Sequence, residues 1–519
     1  MKNKFIYLSI LVAGLVSCEP EFENEVNANY TAGEADFSSY VAVGNSLTAG
    51  YMDGTVSRVG QTYSFPNLLS QQFALVGGGA FTQPSYEEDV NNLGGISGLP
   101  GFNNRLVINA SVSAPQPIAG TSTITLTPQA TAYNNMGVPG AKSFHLLAPG
   151  YGNPAGLALG QANPYYVRHA TSTTSTVLGD AVSKNPTFFT NWIGANDVLS
   201  YATTGGIGVD RTGNPDATQY GSNDITDPTL FAGVYSTIVD QLTANGAKGV
   251  VATIPSVTSI PFFTTVPYNP LTASTLGGGS VPTGEATINA LNAQLYGPLK
   301  QALTVFGAGS RINLLSTTGG NPLLIKDETL TDLSAQLTLA FTPSLGAQTA
   351  AFYGSIFGQA RQATADDLVL LTTSGVIGSA PAGIPAPLDK YGITYPLQDQ
   401  HLLIPSEQTA IANATNAYNA AIKSIASSKN LAVADMNLIL NNLVGGLRSV
   451  DGSIYTANYF SGAATENKVL FSLDGVHPNA RGYAVITNEI IKVINSYYKS
   501  NLPFVNPSYF PGINIVATN

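Results

Sequence analysis

Residues 39–44, Ser-Tyr-Val-Ala-Val-Gly, form a short apolar run that ends in a glycine, and Asn45 and Ser46 follow directly. A run of this kind predicts a central strand of a parallel sheet, because such a strand is covered on both faces and carries apolar side chains at successive positions. Three later runs share the pattern, at residues 187–194, 248–255 and 430–435, and a further strand is expected to lead into Asn135. The sequence therefore predicts about five parallel strands, of which residues 39–44 are the first.

Helical patterns lie between these strands. Residues 231–244 place Val234, Ile238 and Leu242 at four-residue spacing, and residues 407–427 and 483–497 show related patterns. Strands that alternate with helices are typical of an α/β fold in which helices cover both faces of a parallel sheet. In such folds the sites form at the carboxyl ends of the strands, so the functional residues are expected in the segments that directly follow them.

Long polar, glycine-rich stretches separate the patterned segments. They occupy approximately residues 78–130, 148–180, 201–228, 258–285 and 315–405. We interpret them as loops or small inserted elements, which at the rim of a sheet would shape an entrance or a lid. The last stretch is too long for a structureless loop, and residues 364–368, which include Asp366 and Asp367, have the pattern of a helix start.

The N-terminus has the organisation of a secretory signal. Two lysines within residues 1–4 precede an apolar run, residues 5–16, that is shorter than the about 20 residues of a membrane-spanning helix. Residues 15–18, Leu-Val-Ser-Cys, resemble the lipobox of bacterial lipoproteins, which implies a signal peptide over residues 1–17 and acylation of Cys18 with fatty chains such as palmitate. A plain signal peptide that happens to contain a cysteine is the alternative.

Two further expectations follow from the lipobox. Residues 18–36 are acidic at their start and would form a tether, leaving one domain with insertions over residues 37–519. In lipoproteins an aspartate directly after the cysteine favours retention in the inner membrane, and Glu19 is not that signal. The expected location is therefore the outer membrane, with either face open.

The composition limits the partners. Charged residues make up only 10% of the chain and the formal net charge is −10, whereas about 25% of the residues of an average soluble domain are charged. This balance argues against nucleic acid and against anionic membrane surfaces as partners, and leaves the lipid anchor as the expected membrane contact. Cys18 is the only cysteine, which excludes intrachain disulfides and a thiol nucleophile in the mature domain. The sequence contains no phosphate-binding loop, dinucleotide fingerprint or zinc motif, so no cofactor or metal is predicted.

Three blocks that follow predicted strands carry polar residues suited to catalysis. Ser46 lies on a glycine-flanked turn, where its hydroxyl would be exposed at the edge of the sheet and its backbone amide would lie near a helix N-terminus. Residues 135–141 form a tight turn in which Gly140 has an amide free to donate, and Asn196 follows Gly194 just past another strand. Taken singly, these blocks are also compatible with a helix cap or an ordinary turn.

The strongest block is residues 472–478, Ser-Leu-Asp-Gly-Val-His-Pro. His477 is one of only four histidines, and Asp474 precedes it by three residues. This spacing lets the carboxylate reach Nδ1 of the imidazole while Nε2 remains free to act as a base. The block is therefore a candidate for the acid–base part of a serine hydrolase, with a helix-capping histidine as the alternative.

Together the four blocks resemble the motifs of the GDSL, or SGNH, hydrolase family and its bacterial lipoprotein members, in the same chain order. The resemblance implies a three-layer α/β/α sandwich with a parallel sheet of about five strands. It implies a serine ester hydrolase in which Ser46 is the nucleophile, His477 the general base and acid, and Asp474 the group that orients the histidine. It further implies an oxyanion hole formed by the backbone amides of Ser46 and Gly140 and by the side chain of Asn196.

The sequence departs from the family pattern in two respects. Asn45 stands where the family usually has an aspartate, which is not a member of the triad. The insertions also make the chain more than twice as long as the family core, so the substrate stays open between lipid esters, other small esters, thioesters and the acyl or acetyl groups of polysaccharides, the last implying a carbohydrate O-deacetylase. A non-catalytic surface binding lipoprotein on the same scaffold is the alternative outside enzymes.

The remaining histidines and the single tryptophan are interpreted as structural. His145 follows the Gly140 turn and is expected to be a loop residue. His169 and His401 lie in the inserted stretches at spacings that suggest no metal site. Trp192 adjoins the Gly194 turn and is expected to pack in the core.

Overall fold

A five-stranded parallel sheet forms the centre of the molecule in the computed structural model, which describes residues 29–109, 114–461, 468–513 and 515–516. In chain order the strands are β1 (Tyr40–Gly44), β2 (Asn135–Gly137), β3 (Phe188–Trp192), β4 (Lys248–Ala252) and β5 (Ala432–Ala434). Their order in the sheet is β5-β4-β3-β1-β2, and every neighbouring pair is parallel. The prediction of about five parallel strands is confirmed, although β2 begins at Asn135 where the sequence suggested a strand ending there.

Helices lie on both faces of this sheet. The helices used below are α1 (Ser46–Ala49), α2 (Phe65–Ala74), α3 (Asn196–Thr203), α4 (Pro228–Thr243), α5 (Pro405–Ser428), α6 (Met436–Gly445) and α7 (Ala480–Tyr498). Shorter helices at Arg58–Thr62, Pro164–His169 and Val177–Val182 complete the connections between the strands. Helices α4, α5 and α7 coincide within a few residues with the three helical patterns in the sequence.

The alternation of side chains along the strands divides the core into two layers. The side chains of Val41 and Val43 of β1 are fully buried in one apolar cluster, which also contains residues of α4 and α5. Tyr40 and Ala42 face the opposite way, into a second cluster formed with α2 and α7. Because successive side chains of a strand point to opposite faces, one uninterrupted apolar run serves both layers. The result is helices, sheet and helices in three layers.

The strand order determines where a site can form. The chain passes from β1 to β2 on one side and then to β3 on the other, so both strands are neighbours of β1. Such a reversal leaves a crevice beyond the carboxyl ends of the strands, where α/β folds bind ligands. The segments that leave β1 and β3 at this crevice begin with Ser46 and Asn196.

One insertion folds around a core of its own. It contains helices at Pro261–Thr264, Ala273–Leu276, Val281–Leu291, Gly297–Val305, Ser334–Leu345 and Ala347–Phe357, and antiparallel strand pairs at Leu324–Lys326 with Ala360–Gln362 and at Leu368–Val369 with Leu402–Leu403. Leu303, Leu337 and Phe357 are fully buried in its core. The stretches predicted separately as 258–285 and 315–405 are therefore parts of one packed unit, together with the residues between them.

The helix start predicted at residues 364–368 is wrong. Residues 365 and 366 form a turn, and a strand begins at Leu368. The Asp367 carboxylate accepts from both terminal nitrogens of Arg361, at 2.6 Å each, and from the Thr364 N–H. The aspartate that resembled a helix-start residue instead pairs with a neighbouring strand, and the sequence pattern did not distinguish the two.

The domain also extends further towards the N-terminus than predicted. The Glu34 N–H donates to the Tyr498 carbonyl at 2.7 Å, and Ala35 and Phe37 are buried in the core beside α2 and α7. Residues 34–36 therefore belong to the packed domain, before the boundary expected at residue 37. Among the described residues, no helix is both long enough and apolar enough to cross a membrane.

Gly137, at the end of β2, allows β2 and α1 to approach each other closely, and a substitution at this position tests that contact. A Cβ at this position would lie 2.2 Å from the Ala49 backbone nitrogen, so Gly137→Ala should destabilise the protein by about 1–3 kcal/mol, the usual cost of overpacking. Gly233→Ala is the matched control, because Gly233 is exposed in α4 and its added methyl group meets nothing within 4 Å. This control should be stabilising by up to about 1 kcal/mol through helix propensity. Urea unfolding of the two variants checks the prediction, and equal stabilities would contradict it.

Candidate active site

Ser46 is held at the carboxyl end of β1 by a short turn. The side chain of Asn45 accepts a hydrogen bond from the Leu47 N–H at 3.1 Å and so caps α1, whose first residue is Ser46. The first N–H groups of a helix have no partner within the helix, so the Ser46 amide is available to an incoming negative charge. An asparagine provides this cap as an aspartate would, so the turn does not depend on a charge at position 45.

The Ser46 hydroxyl lies against the imidazole of His477. The Ser46 Oγ is 2.8 Å from His477 Nε2, and His477 Nδ1 is 2.9 Å from Asp474 Oδ2. Three side chains that lie far apart in the sequence thus form one continuous chain of hydrogen bonds. The structure brings together Ser46, His477 and Asp474, the three residues that the sequence singled out for nucleophile, base and orienting acid.

The Asp474 carboxylate is largely buried, with 14% of its side chain exposed, and has several hydrogen-bond donors. Its Oδ1 accepts from the Ser472 hydroxyl and from the N–H groups of Val476 and His477, all at 2.8–2.9 Å. Burial acts to raise the pKa of Asp474, but the His477 imidazole and these backbone donors outweigh it and hold the pKa below its usual range. The carboxylate is therefore charged at neutral pH, as required of a group that stabilises an imidazolium.

A segment after α1, which the sequence analysis missed, supports this loop. The Gly54 N–H donates to Asp474 Oδ2 at 3.1 Å, and the Asp53 N–H donates to the Ser472 hydroxyl at 3.1 Å. The Asp53 carboxylate in turn accepts from the Leu473 N–H at 3.0 Å. The Asp53–Gly54 pair signals a turn in the sequence, but no local feature indicates a contact with residues more than 400 positions later.

Tyr51 belongs to the same supporting segment. Its ring lies 4.5 Å from the imidazole of His477, measured between centroids. The Tyr51 carbonyl accepts from the Tyr483 hydroxyl of α7 at 2.7 Å, which fixes the segment to the final helix. The histidine is therefore packed on one side by an aromatic ring that is itself held in place.

Asn196 and the Gly140 turn meet next to β1. The Asn196 Nδ2 donates to the Ala141 carbonyl at 2.9 Å, which uses one of the two N–H bonds of the side-chain amide. Gly140 adopts a φ of 78°, a left-handed conformation that favours glycine, and its N–H has no acceptor among the described residues. Gly140 is linked to the site through Ala141, and it is not one of the residues that line the cavity beside Ser46.

A second pair of hydrogen bonds holds the same two segments together. The buried Asp197 carboxylate accepts from the Ser143 N–H and from the Ser143 hydroxyl, both at 2.8 Å. Burial raises the pKa of Asp197, while the Ser143 donors oppose that shift. The start of α3 and the turn after β2 are thus connected at two successive residues, which fixes the position of the Asn196 amide.

The other histidines take structural positions. His145 stacks on Tyr151, its Nδ1 accepts from the Lys142 N–H, and burial lowers its pKa to about 4. Burial lowers the pKa of His169 to about 3, and His401 Nδ1 accepts from the Gln398 N–H. Within the described parts of the chain, no group of three or more His, Cys, Asp or Glu side chains is placed to hold a metal ion.

An apolar cavity of about 120 Å³ lies beside Ser46 and His477. Its polar lining residues are Asn45, Ser46, Asn196 and His477. The other lining side chains are apolar and come mainly from α6, from α7 and from residues 255–260, with Trp192 contributing from β3. Trp192 also packs against Phe65 of α2, so it is both a core residue and part of the cavity wall.

The large insertion contacts the loop that carries the histidine. The Phe262 N–H donates to the Gly475 carbonyl at 2.9 Å. Gly475 has a φ of 71°, and a Cβ there would lie 2.7 Å from the Leu371 side chain of the insertion. The insertion therefore packs against the backbone between Asp474 and His477 and forms one side of the site.

Asp53 gives a prediction about pH and stability. Burial raises the pKa of Asp53 to about 7 from an ordinary value of 3.8, with the Leu473 N–H opposing the shift and the charge of Asp474 adding to it. Between these values the unfolded chain has lost the proton that the folded protein keeps, so the free energy of unfolding falls as the pH rises from about 4 to about 7. Asp53→Asn removes this penalty, so its unfolding midpoint should rise relative to wild type by more at pH 8 than at pH 5. Asp366→Asn, at an exposed aspartate, is the control. The prediction would be contradicted if the unfolding midpoint of Asp53→Asn differed from that of wild type by the same amount at pH 5 and at pH 8.

Comparison of the chain with protein-family models, with curated proteins and with solved structures finds no match. The resemblance to SGNH hydrolases therefore rests on the four sequence blocks. The hydrogen-bond geometry that joins Ser46, His477 and Asp474 is the feature of the structure that indicates an activity.

Proposed function

We propose that the protein is a serine ester hydrolase of the SGNH type that forms an acyl-enzyme on Ser46. The observation that carries the proposal is the hydrogen-bond chain from the Ser46 Oγ to His477 Nε2, and from His477 Nδ1 to the Asp474 carboxylate. In this arrangement the base is within reach of the nucleophile and is itself oriented by a charged group. The largely buried, charged carboxylate of Asp474 favours the imidazolium that forms when the histidine takes up a proton.

The reaction has two half-reactions. His477 Nε2 takes the proton of the Ser46 hydroxyl while Oγ attacks the carbonyl carbon of the ester, and the carbonyl oxygen becomes an oxyanion. The carbon–oxygen bond to the alcohol then breaks, and the imidazolium returns the proton to the leaving oxygen. A water molecule, activated by His477 in the same way, releases the acid from Ser46.

The same proposal assigns three N–H groups as hydrogen-bond donors to the oxyanion. The Ser46 amide at the start of α1, the Gly140 amide and the second N–H of the Asn196 side chain are the available groups. Because the Asn196 amide is anchored by its bond to Ala141, it would not have to reorganise as charge develops, which is the condition for strong electrostatic stabilisation. We also propose that the insertion, which packs on the Gly475 loop, shapes the entrance to the site.

The cellular location is proposed on the sequence alone. Cys18 and the signal segment lie outside the described residues. The lipobox-like residues 15–18 support a lipid anchor at Cys18, whose acyl chains would attach the domain to a membrane. Because Glu19 stands in place of an aspartate after the cysteine, we propose the outer membrane, with either face open.

The triad assignment predicts which substitutions abolish hydrolysis. Ser46→Ala and His477→Ala should each remove nearly all activity towards p-nitrophenyl esters while the circular dichroism spectrum stays native. Asp474→Asn leaves the base in place, so it should retain more activity than His477→Ala. A fluorophosphonate should label Ser46 in the wild-type protein, as peptide mass spectrometry will show. Full activity in a folded Ser46→Ala variant would refute the assignment.

Asn196 distinguishes transition-state stabilisation from a structural role. Asn196→Ala should lower kcat by roughly 10²–10³, the usual effect of losing one oxyanion donor, with little change in KM. The substitution also removes the bond to Ala141, so some loss of stability is expected. Ser143→Ala is the matched control, because it removes one bond of the neighbouring Asp197 connection and no oxyanion donor. If the two variants lost similar stability and similar kcat, Asn196 would be a structural residue only.

A further inference from the structure

We infer that the apolar cavity beside Ser46 holds the acyl chain of the substrate, which makes the preferred substrate an ester of a medium- or long-chain fatty acid. The inference rests on the proposed hydrolase function and deepens it, because the chemistry at Ser46 is the same for every ester. It separates lipid-type esters from acetyl esters, including the O-acetyl groups of polysaccharides.

The walls of the cavity provide the first argument. Met436, Leu440 and Leu443 of α6 line it together with Val485 and Ile486 of α7. The polar lining residues are those of the reactive centre and the two asparagines next to it, Asn45 and Asn196. A pocket for a sugar would need further hydrogen-bonding side chains to orient the hydroxyl groups. The Trp192 indole N–H is a further donor among the lining side chains, but its nitrogen is buried. The walls therefore offer a hydrocarbon chain mainly apolar contact.

The size of the cavity provides the second argument. An acetyl group bound to Ser46 would place a single methyl group in a space of about 120 Å³. The remaining apolar wall would stay uncovered, because water gains too few hydrogen bonds in an apolar cavity to fill it well. A longer acyl chain would cover this wall, and each methylene group removed from water should raise kcat/KM about fourfold until the cavity is filled.

The order of the chemical steps assigns the cavity to the acyl side of the ester. The alcohol leaves after the first half-reaction, whereas the acyl group stays on Ser46 until water releases it. The cavity lies between the Ser46 turn, α6 and α7, within the α/β core, and many of its lining side chains are buried. A pocket walled by core side chains suits the group that is retained on Ser46 through both steps, whereas the alcohol departs after the first step.

Helix α6 forms the wall that a substitution can alter most directly. It contains no charged residue, and two of its apolar side chains, Leu438 and Val444, are exposed on the outer side. Leu440 lines the cavity, whereas Leu438 on the same helix does not. The pair therefore offers one substitution that narrows the cavity and one of the same chemistry that leaves it unchanged.

The experiment measures kcat/KM for p-nitrophenyl acetate, butanoate, octanoate and dodecanoate, each below the concentration at which it aggregates. The wild-type protein should prefer octanoate or dodecanoate over acetate by at least 100-fold. Leu440→Trp should lower the dodecanoate-to-acetate ratio at least tenfold, whereas Leu438→Trp should keep the wild-type ratio. Leu443→Trp is the second variant if Leu440→Trp does not fold, as judged by thermal unfolding.

Three results would overturn the inference. A flat acyl-chain profile with good acetate hydrolysis would exclude a fatty acyl chain and leave the ester hydrolase standing. A rate that rises with the alkyl length of a series of alkyl acetates, and not with acyl length, would assign the cavity to the alcohol. An equal loss of ratio in Leu440→Trp and Leu438→Trp would show that the cavity wall does not select the chain.

One further measurement distinguishes a failure of the acyl-chain inference from a failure of the proposed hydrolase function. Labelling of Ser46 by an alkyl fluorophosphonate reports on the nucleophile without requiring turnover. Faster labelling by a dodecyl than by an ethyl reagent supports the inference, and equal rates count against it. If no ester is hydrolysed and Ser46 is not labelled by either reagent, the proposed function itself is wrong.

Discussion

The largely buried carboxylate of Asp474 is the constraint on which the site depends. A charge removed from water is tolerated in a protein only when donors replace its hydration, and Asp474 takes its donors from two distant parts of the chain. Val476 and His477 belong to its own loop, whereas the Gly54 N–H comes from the segment after β1. The carboxylate is therefore satisfied only when the N-terminal strand and the C-terminal loop have packed together. The same packing brings His477 to the Ser46 hydroxyl, so folding and assembly of the reactive centre are one event.

The sheet order imposes a second condition at the same edge. Because β2 and β3 are the two neighbours of β1, the turn after β2 and the helix after β3 meet across the end of the strand that leads to Ser46. The bond from Asn196 to the Ala141 carbonyl and the bonds from Ser143 to Asp197 join those two segments. The groups proposed to bind the oxyanion are thereby fixed to one another before any substrate arrives. Such prior fixation is what makes a hydrogen-bond donor effective in a transition state.

The elements that depend on local sequence patterns could be predicted, whereas contacts between residues far apart in the sequence could not. The buried strands and the helices α4, α5 and α7 follow from apolar runs and helical spacing, and the Asp474–His477 pair follows from a spacing of three residues. The support from Asp53 and the packing of the Tyr51 ring against His477 involve residues more than 400 positions apart, for which a single sequence carries no signal. The predicted helix start at Asp366 and Asp367 was wrong because an acidic pair preceded by threonine is equally suited to a turn that pairs with Arg361. The stretches predicted as separate insertions likewise share a core, which no periodicity in the sequence indicates.

The same distinction explains why the candidate catalytic groups could be located from the sequence, whereas the substrate was left open. The proposed catalytic groups lie on short turns that directly follow strands, so each leaves a compact motif. The cavity beside them is assembled from α6, α7, the end of β3 and the segment at residues 255–260, and each contributes ordinary apolar residues that are indistinguishable in the sequence from core residues. Leu440 illustrates this, because it is buried in the main apolar cluster and also lines the cavity. A wall that is continuous with the core is rigid, since close-packed side chains resist displacement, and a rigid apolar wall selects by length and shape. In the proposed hydrolase, substrate choice therefore depends on core packing, whereas the proposed catalytic groups depend on the turns.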